Sequence, residues 1–176
     1  VGMDHFALPD DSLAIAKRQG RLHRNFQGYS TQPDCDLIAL GVSAIGKVGA
    51  TYSQNVKTLE EYYDALDSGQ LPVQRGLALS RDDMVRRAVI MAVMCQGAVL
   101  YEPMEQAWLI DFGEYFEAEL AELAGLQGKG LVRIGKEGFE VTPMGWFFVR
   151  AVAMVFDPYL RGARKPAGGV QAPALE

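Results

Sequence analysis

"LVRIGKEGFEVTP", Leu131 to Pro143, decides what kind of fold the chain carries. Leu131–Ile134 and Phe139–Val141 are short apolar-rich runs on either side of Gly135-Lys136-Glu137-Gly138. That is the pattern of a β-hairpin with a four-residue turn. Thr142 then offers a capping hydroxyl, and Pro143 brings a preset φ to the first position of a helix. The residues behind it are very apolar: Trp146, Phe147, Val149, Val152, Met154, Val155 and Phe156 read as core.

Upstream, Asp111–Gly125 reads as a helix carrying Phe112, Tyr115, Phe116, Leu120 and Leu123 at three-and-four spacing. Glu114, Glu117, Glu119 and Glu122 fall mainly on its wet side. Ser80-Arg81-Asp82-Asp83 is a capping box with a short Asp partner. It opens a helix that ends near Gly97 and bears Met84, Val85, Ala88, Val89, Met91, Ala92 and Cys95 on one face. Helix, helix, hairpin, helix predicts a winged-helix-like arrangement. Thr58-Leu59-Glu60-Glu61 caps an earlier helix running to about Ser68, and Pro9-Asp10-Asp11-Ser12 starts a short one that Gly20 ends. The fold class expected is α+β, mostly helical. Between His23 and Gly46 the periodicity lapses into what reads mostly as loop, with only Leu37–Ile45 apolar enough for a buried strand or tight turn. Val1–Phe6 reads as a strand entered in mid-fold, and residues 162–176, rich in Pro, Gly and Ala, as a disordered tail.

The bulk numbers narrow the function. The chain has 176 residues, 49% hydrophobic and 22% charged, a net charge of -5 and a pI near 5.1. An acidic chain of that composition argues against a nucleic-acid-coating protein. No apolar run reaches the length of a membrane span. Cys35 and Cys95 lie far apart with no partner spacing, and free thiols fit a reducing compartment, hence a cytoplasmic expectation. No second His or Cys stands at metal-ligand spacing from His5 or His23, so no metal site is expected from this chain alone. Asp82 with Arg86, and Asp83 with Arg87, stand at the i,i+4 spacing of surface ion pairs.

The irregular stretch is the chemically rich one. "RLHRNFQGY", Arg21 to Tyr29, packs two guanidiniums, an imidazole, an aromatic, two amides and a phenol together. Taken alone, Arg21 and Arg24 read as solvated loop cations and Phe26 and Gln27 as loop packing.

"GMDHFALPDDSLAIAKRQGRLHRNFQGYSTQPDCDLIALGVSAIG", "RGLALSRDDMVRRAVIMAVMC" and "GLVRIGKEGFEVTPMGWFFVRAVAMVFDPYL" resemble the oxygen-independent coproporphyrinogen III oxidases, also called dehydrogenases. The resemblance implies radical S-adenosylmethionine chemistry in haem biosynthesis: oxidative decarboxylation of coproporphyrinogen III to protoporphyrinogen IX, using a [4Fe-4S] cluster. It implies that residues 1–56 are the last segment of a partial (β/α) barrel with a cavity-lining loop, and 57–161 a helical C-terminal domain. The family's Cys-x3-Cys-x2-Cys cluster motif is absent from this chain, so the ligands would belong to an N-terminal barrel domain, a required partner, and the chain alone is expected to be inactive, with no catalytic residue of its own. The resemblance further implies cofactor-binding roles: Ile45 contacts the S-adenosylmethionine that is cleaved, and Phe26 and Gln27 lie near a second S-adenosylmethionine or the substrate. It shifts Arg24, and more weakly Arg21, toward binding the propionates of the substrate, which reward a guanidinium fork. The competing readings are a haem-chaperone relative of the same superfamily and a winged-helix interaction module.

Overall fold

The structure is a computed structural model that describes residues 5–163. The opening strand expected at Val1–Phe6 and the tail expected from Gly162 lie largely outside that range. The chain divides into two compact units, Val1–Gln96 and Gly97–Glu176. Helices and antiparallel sheets alternate in both, which is the α+β class.

In the first unit, α1 (Ser12–Arg18) starts where Asp11 accepts the Leu13 amide at 2.8 Å. The stretch expected to be mostly loop instead contributes strands to two antiparallel systems. β1 (His23–Asn25) pairs with β2 (Gly28–Ser30), and β3 (Ile45–Val48), β4 (Thr51–Asn55) and β5 (Val73–Ala78) make a three-stranded sheet in that order. The strands were hidden because they are short and polar, and alternation over three or four residues carries little signal. Leu37–Ile45, expected to be buried, is mostly irregular, with Ile38 and Leu40 at 70% and 82% exposure. Only a single bridge from Leu37 to Lys47 and the start of β3 give it regular pairing.

α2 (Leu59–Asp67) lies between β4 and β5 and opens on the predicted capping box. Thr58 Oγ1 accepts the Glu61 amide, and the Glu61 carboxylate takes the Thr58 hydroxyl at 2.7 Å. The Ser80–Asp83 box closes fully despite its shorter acid. The Asp83 amide reaches Ser80 Oγ at 3.1 Å, while Asp83 Oδ2 accepts the Ser80 amide and hydroxyl at 2.9 and 2.7 Å. It opens α3 (Arg81–Gln96), which buries Val85, Val89, Val93, Met94 and Cys95.

In the second unit, β6 (Ala98–Leu100) leads into α4 (Tyr101–Trp108), then α5 (Phe112–Tyr115) and α6 (Glu117–Gly128). β7 (Val132–Ile134) and β8 (Gly138–Val141) form the hairpin read from sequence, and β6 adds to it in the order β6-β8-β7. A 3-10 turn (Gly145–Phe148) with its amide at Gly145 capped by Thr142 Oγ1 at 2.9 Å leads to α7 (Val149–Met154) and α8 (Pro158–Ala163).

The single helix expected over Asp111–Gly125 is broken at Phe116, whose φ and ψ of -113° and 28° are not helical. The break lets Phe116 turn inward between Phe112 and Phe156, with ring centroids 4.8 and 5.3 Å away. Tyr101 stacks on Phe112 and Phe139 on Phe156, completing a five-ring core. Glu119, expected on the wet side, is buried, because the break rotates α6 relative to a continuous helix. Backbones approach without room for a side chain at two points. A Cβ on Gly145 would sit 1.8 Å from the Leu131 carbonyl oxygen, and one on Gly138 2.1 Å from that of Val99. Phe147, expected as core, is 85% exposed.

Candidate functional site

Two of the three cofactor contacts that the resemblance implies, Phe26 and Gln27, sit at a hairpin tip. Asn25 pairs with Gly28 across β1 and β2, leaving Phe26 and Gln27 as the two loop residues. Asn25 fixes this turn itself, its Oδ1 accepting the Gln27 amide at 2.9 Å and the Gly28 amide at 3.2 Å. Asn side chains hold tight turns in this way. Gly28 completes it with a φ of 140°, which other residues adopt only under strain. Both loop side chains project outward: Gln27 is exposed, and Phe26 keeps 54% of its surface accessible.

Phe26 is not adrift. Its ring meets Tyr52 on β4 edge to face, centroids 5.3 Å apart. Tyr52 lies opposite Lys47 and Gln54 opposite Ile45 in the β3–β4 register, so all four share one face of the sheet. Phe26 and Ile45 are thus brought to the same face. Ile45 is half-buried, and the chain before it is tightly held. Ser43 takes a left-handed φ of 57° while its amide donates to the Val56 carbonyl at 2.7 Å. Buried Asn55 donates to the Gly41 carbonyl at 2.9 Å, and Tyr62 accepts the Gly41 amide at 3.0 Å.

Beside this face lies a charge network that local spacing did not reveal. Arg87 was expected to pair with Asp83, but Asp83 serves the helix cap. Arg87 instead makes a bidentate pair with Asp34 at 2.7 and 2.9 Å and donates from Nε to the Tyr52 hydroxyl at 2.7 Å. Lys47 adds a second cation to Asp34 at 2.5 Å. The Arg87 hydrogen bond, with Lys47 assisting, holds the Asp34 carboxyl well below the usual carboxylate range despite some desolvation. Asp34 in turn raises the guanidinium of Arg87 above its ordinary value. The other expected pair, Asp82 with Arg86, forms at 2.7 Å.

Arg24 and Arg21 part company. Arg24 lies opposite Tyr29 and holds its guanidinium 4.8 Å from that ring's centroid, and Tyr29 is anchored through its hydroxyl to the Met94 carbonyl at 3.1 Å. Arg24 Nη1 is buried and has no hydrogen-bond partner. A buried orphan donor on a cation is costly unless an acceptor arrives. Arg21 is exposed and spends its guanidinium on Gln19 Oε1. His23 pairs with Ser30 in the strand ladder, and His5 meets Tyr29 edge to face at 5.1 Å.

An anionic or adenine-bearing ligand therefore has fitting groups here: an orphan guanidinium nitrogen, an accessible ring, and an exposed amide. An iron–sulfur cluster does not. Cys35 is exposed and Cys95 buried, and among the described residues no group of three or more His, Cys, Asp or Glu side chains is placed to hold a metal ion. Burial pushes the Cys95 thiol up to about 11, with Arg24 and Lys17 opposing.

Comparison with known proteins defines the class first. Residues 79–148 match the HemN C-terminal domain. More particularly, the chain resembles the C-terminal portion of the oxygen-independent coproporphyrinogen III oxidases, as the sequence suggested. It is 48% identical over 161 residues to the one from Escherichia coli, covering 92% of this chain and 35% of that protein. The Synechocystis protein of the same name is 47% identical over 169 residues, covering 94% of this chain and 36% of the relative. A solved structure described as coproporphyrinogen III oxidase (HemN) from Escherichia coli, a radical SAM enzyme, superposes with a TM-score of 0.88 at 48% identity, covering 90% of this chain and 37% of that one. The chain spans roughly a third of the length of these relatives. Among the described residues no helix is long and apolar enough to cross a membrane.

Proposed function

We propose that this chain acts as the C-terminal part of an enzyme that oxidatively decarboxylates coproporphyrinogen III to protoporphyrinogen IX in the cytoplasm. The observation that carries this reading is the 48% identity over 92% of the chain to a protein named for that reaction. Residues 1–56 then close the radical S-adenosylmethionine barrel and line its cavity. Residues 57–161 are read as the helical C-terminal domain, and within the second unit the order β6, α4, α5, α6, β7, β8 and the sheet order β6-β8-β7 support a winged-helix-like arrangement. The barrel itself is the partner domain that brings the cluster cysteines.

When bound, S-adenosylmethionine with a reduced [4Fe-4S] cluster supplies one-electron chemistry that no side chain of this segment provides. The segment's own residues bind and orient. Arg24 Nη1, already desolvated, donates to a propionate carboxylate without paying that cost again. Arg21 is the weaker substrate contact, since Gln19 competes for it. Phe26 offers a face to an adenine or pyrrole ring, Gln27 a donor and an acceptor, and Ile45 an apolar wall that excludes water.

The test is made in the complete enzyme, measuring cluster content, S-adenosylmethionine cleavage and vinyl formation for Gln27→Ala, Ile45→Asp and Arg24→Gln. Each variant should form its cluster normally yet lose turnover, Ile45→Asp most, because an unpaired carboxylate resists desolvation. Wild-type turnover in all three, with folding intact, would overturn the site assignment.

A further inference from the structure

We infer that Tyr52, braced by Arg87 and Asp34, is a positioning residue that fixes the angle at which Phe26 meets its ligand. The inference rests on the reading of Phe26 given above. Phe26 sits on a two-residue turn, so its backbone is fixed by Asn25 but its side chain stands away from the hairpin with over half its surface accessible. An aromatic ring at such a tip samples several rotamers, and a ligand that needs one of them must do work against that freedom. The edge-to-face contact with Tyr52 at 5.3 Å selects one orientation. Tyr52 cannot swing away, because its hydroxyl accepts from Arg87 Nε at 2.7 Å. Nor can Arg87, whose two terminal nitrogens are forked onto Asp34 at 2.7 and 2.9 Å, with Lys47 of β3 closing on the same carboxylate.

The chain of contacts therefore runs from α3 through a planar, bidentate clamp to β4 and on to the turn. Every link is a rigid group: guanidinium, carboxylate, phenol, phenyl. It also includes β3, the strand that carries Ile45, so one clamp holds both walls of the proposed cavity in register. An exposed surface ion pair is normally worth little for stability. Here its geometry gives it another use, because a fork restricts rotation in a way a lone ammonium does not.

The experiment is a double-mutant cycle in the complete enzyme, with S-adenosylmethionine as the probe and binding as the readout. Tyr52→Phe keeps the ring and removes only the hydroxyl that Arg87 holds; Arg87→Lys keeps the charge and removes the fork. Each should weaken binding about three- to tenfold, as Phe26→Ala itself should, and neither should weaken it further in the Phe26→Ala background. A 4-fluorophenylalanine at position 26 should shift or broaden its fluorine resonance in Tyr52→Phe while the melting temperature holds. Additive losses, or unchanged affinity in Tyr52→Phe and Arg87→Lys while Phe26→Ala weakens binding, would overturn the inference and leave the site reading intact. Unchanged affinity in Phe26→Ala itself would overturn both.

Discussion

The two units hold themselves together by different means. In the second, five aromatic rings from Tyr101 to Phe156 touch in series, and Phe112, Phe116 and Phe156 are fully buried. In the first, the described residues ahead of α3 bury only Ala16 and Leu22 among the hydrophobics. Beyond a small cluster of Ala16, Leu22 and Cys95 packed under Leu13, Tyr29 and Met91, their order comes from directional polar contacts: the Asp34–Arg87 fork, the Tyr29 and Asn55 hydrogen bonds, the Asn25 turn. Apolar burial is non-directional and makes a robust block. Hydrogen bonds and forks fix angles for little net stability, which suits the positioning role proposed for this region.

That contrast can be broken most directly at Phe116. Phe116→Ala removes a ring that three neighbours touch, and should cost about 3–5 kcal/mol in denaturant unfolding. A loss under about 1 kcal/mol would mean the ring series is not what stabilises the second unit.

A smaller effect is expected at Asp34. Its carboxylate is nearly half exposed, so Asp34→Asn should cost only about 1 kcal/mol near neutral pH. The folded-state value is depressed, so this stabilisation is present above the ordinary Asp range, around pH 4, and is lost as the pH falls through the lowered value. Wild type and Asp34→Asn should therefore converge in strong acid. A gap that persists unchanged there would show that the fork does not act through its charge.

The smallest effect lies at the alkaline end. Cys95 keeps its proton in the folded state until about pH 11, against 9.0 for an ordinary thiol, because burial disfavours the thiolate. Its contribution is complete below 9.0 and is lost as the pH rises from there toward about 11. Cys95→Ala should flatten that slope, and a thiol reagent near pH 8 should label Cys35 well before Cys95. Equal labelling rates would sharpen the comparison the other way, showing the first unit open around α3.

Sequence made the punctuation of this fold legible and its long-range contacts invisible. The caps at Asp11, Thr58, Ser80 and Thr142 and the Val132–Val141 hairpin stood out because each depends on residues within a few positions. β6 did not, since Ala98–Leu100 has no strand character until β8 supplies a ladder. α4 was hidden by Pro103 inside it and by Leu109, which closes it in a left-handed conformation where a glycine would have announced the end. The position of Phe26, Gln27 and Ile45 was suggested only through resemblance, and the Arg87–Asp34 fork not at all. Periodicity pointed Arg87 at Asp83, its neighbour on the helix, and nothing local marks a partner that far back in the chain.

The ties between α3 and the first hairpin also set an order of events for a chain leaving the ribosome. Arg87 reaches back 53 residues to Asp34, the Met94 carbonyl 65 to Tyr29, and Gln96 74 to the Leu22 carbonyl. Translation adds about 5–20 residues per second. The β1–β2 segment therefore waits roughly 3 to 13 seconds, by the same rate, before the residue that anchors Tyr29 has been made. Until then it has no apolar core of its own to hold it, and closing loops of this length carries an entropy cost that only the finished helix can offset. The turn that aims Phe26 is among the first parts of the unit to be synthesised and among the last to be set.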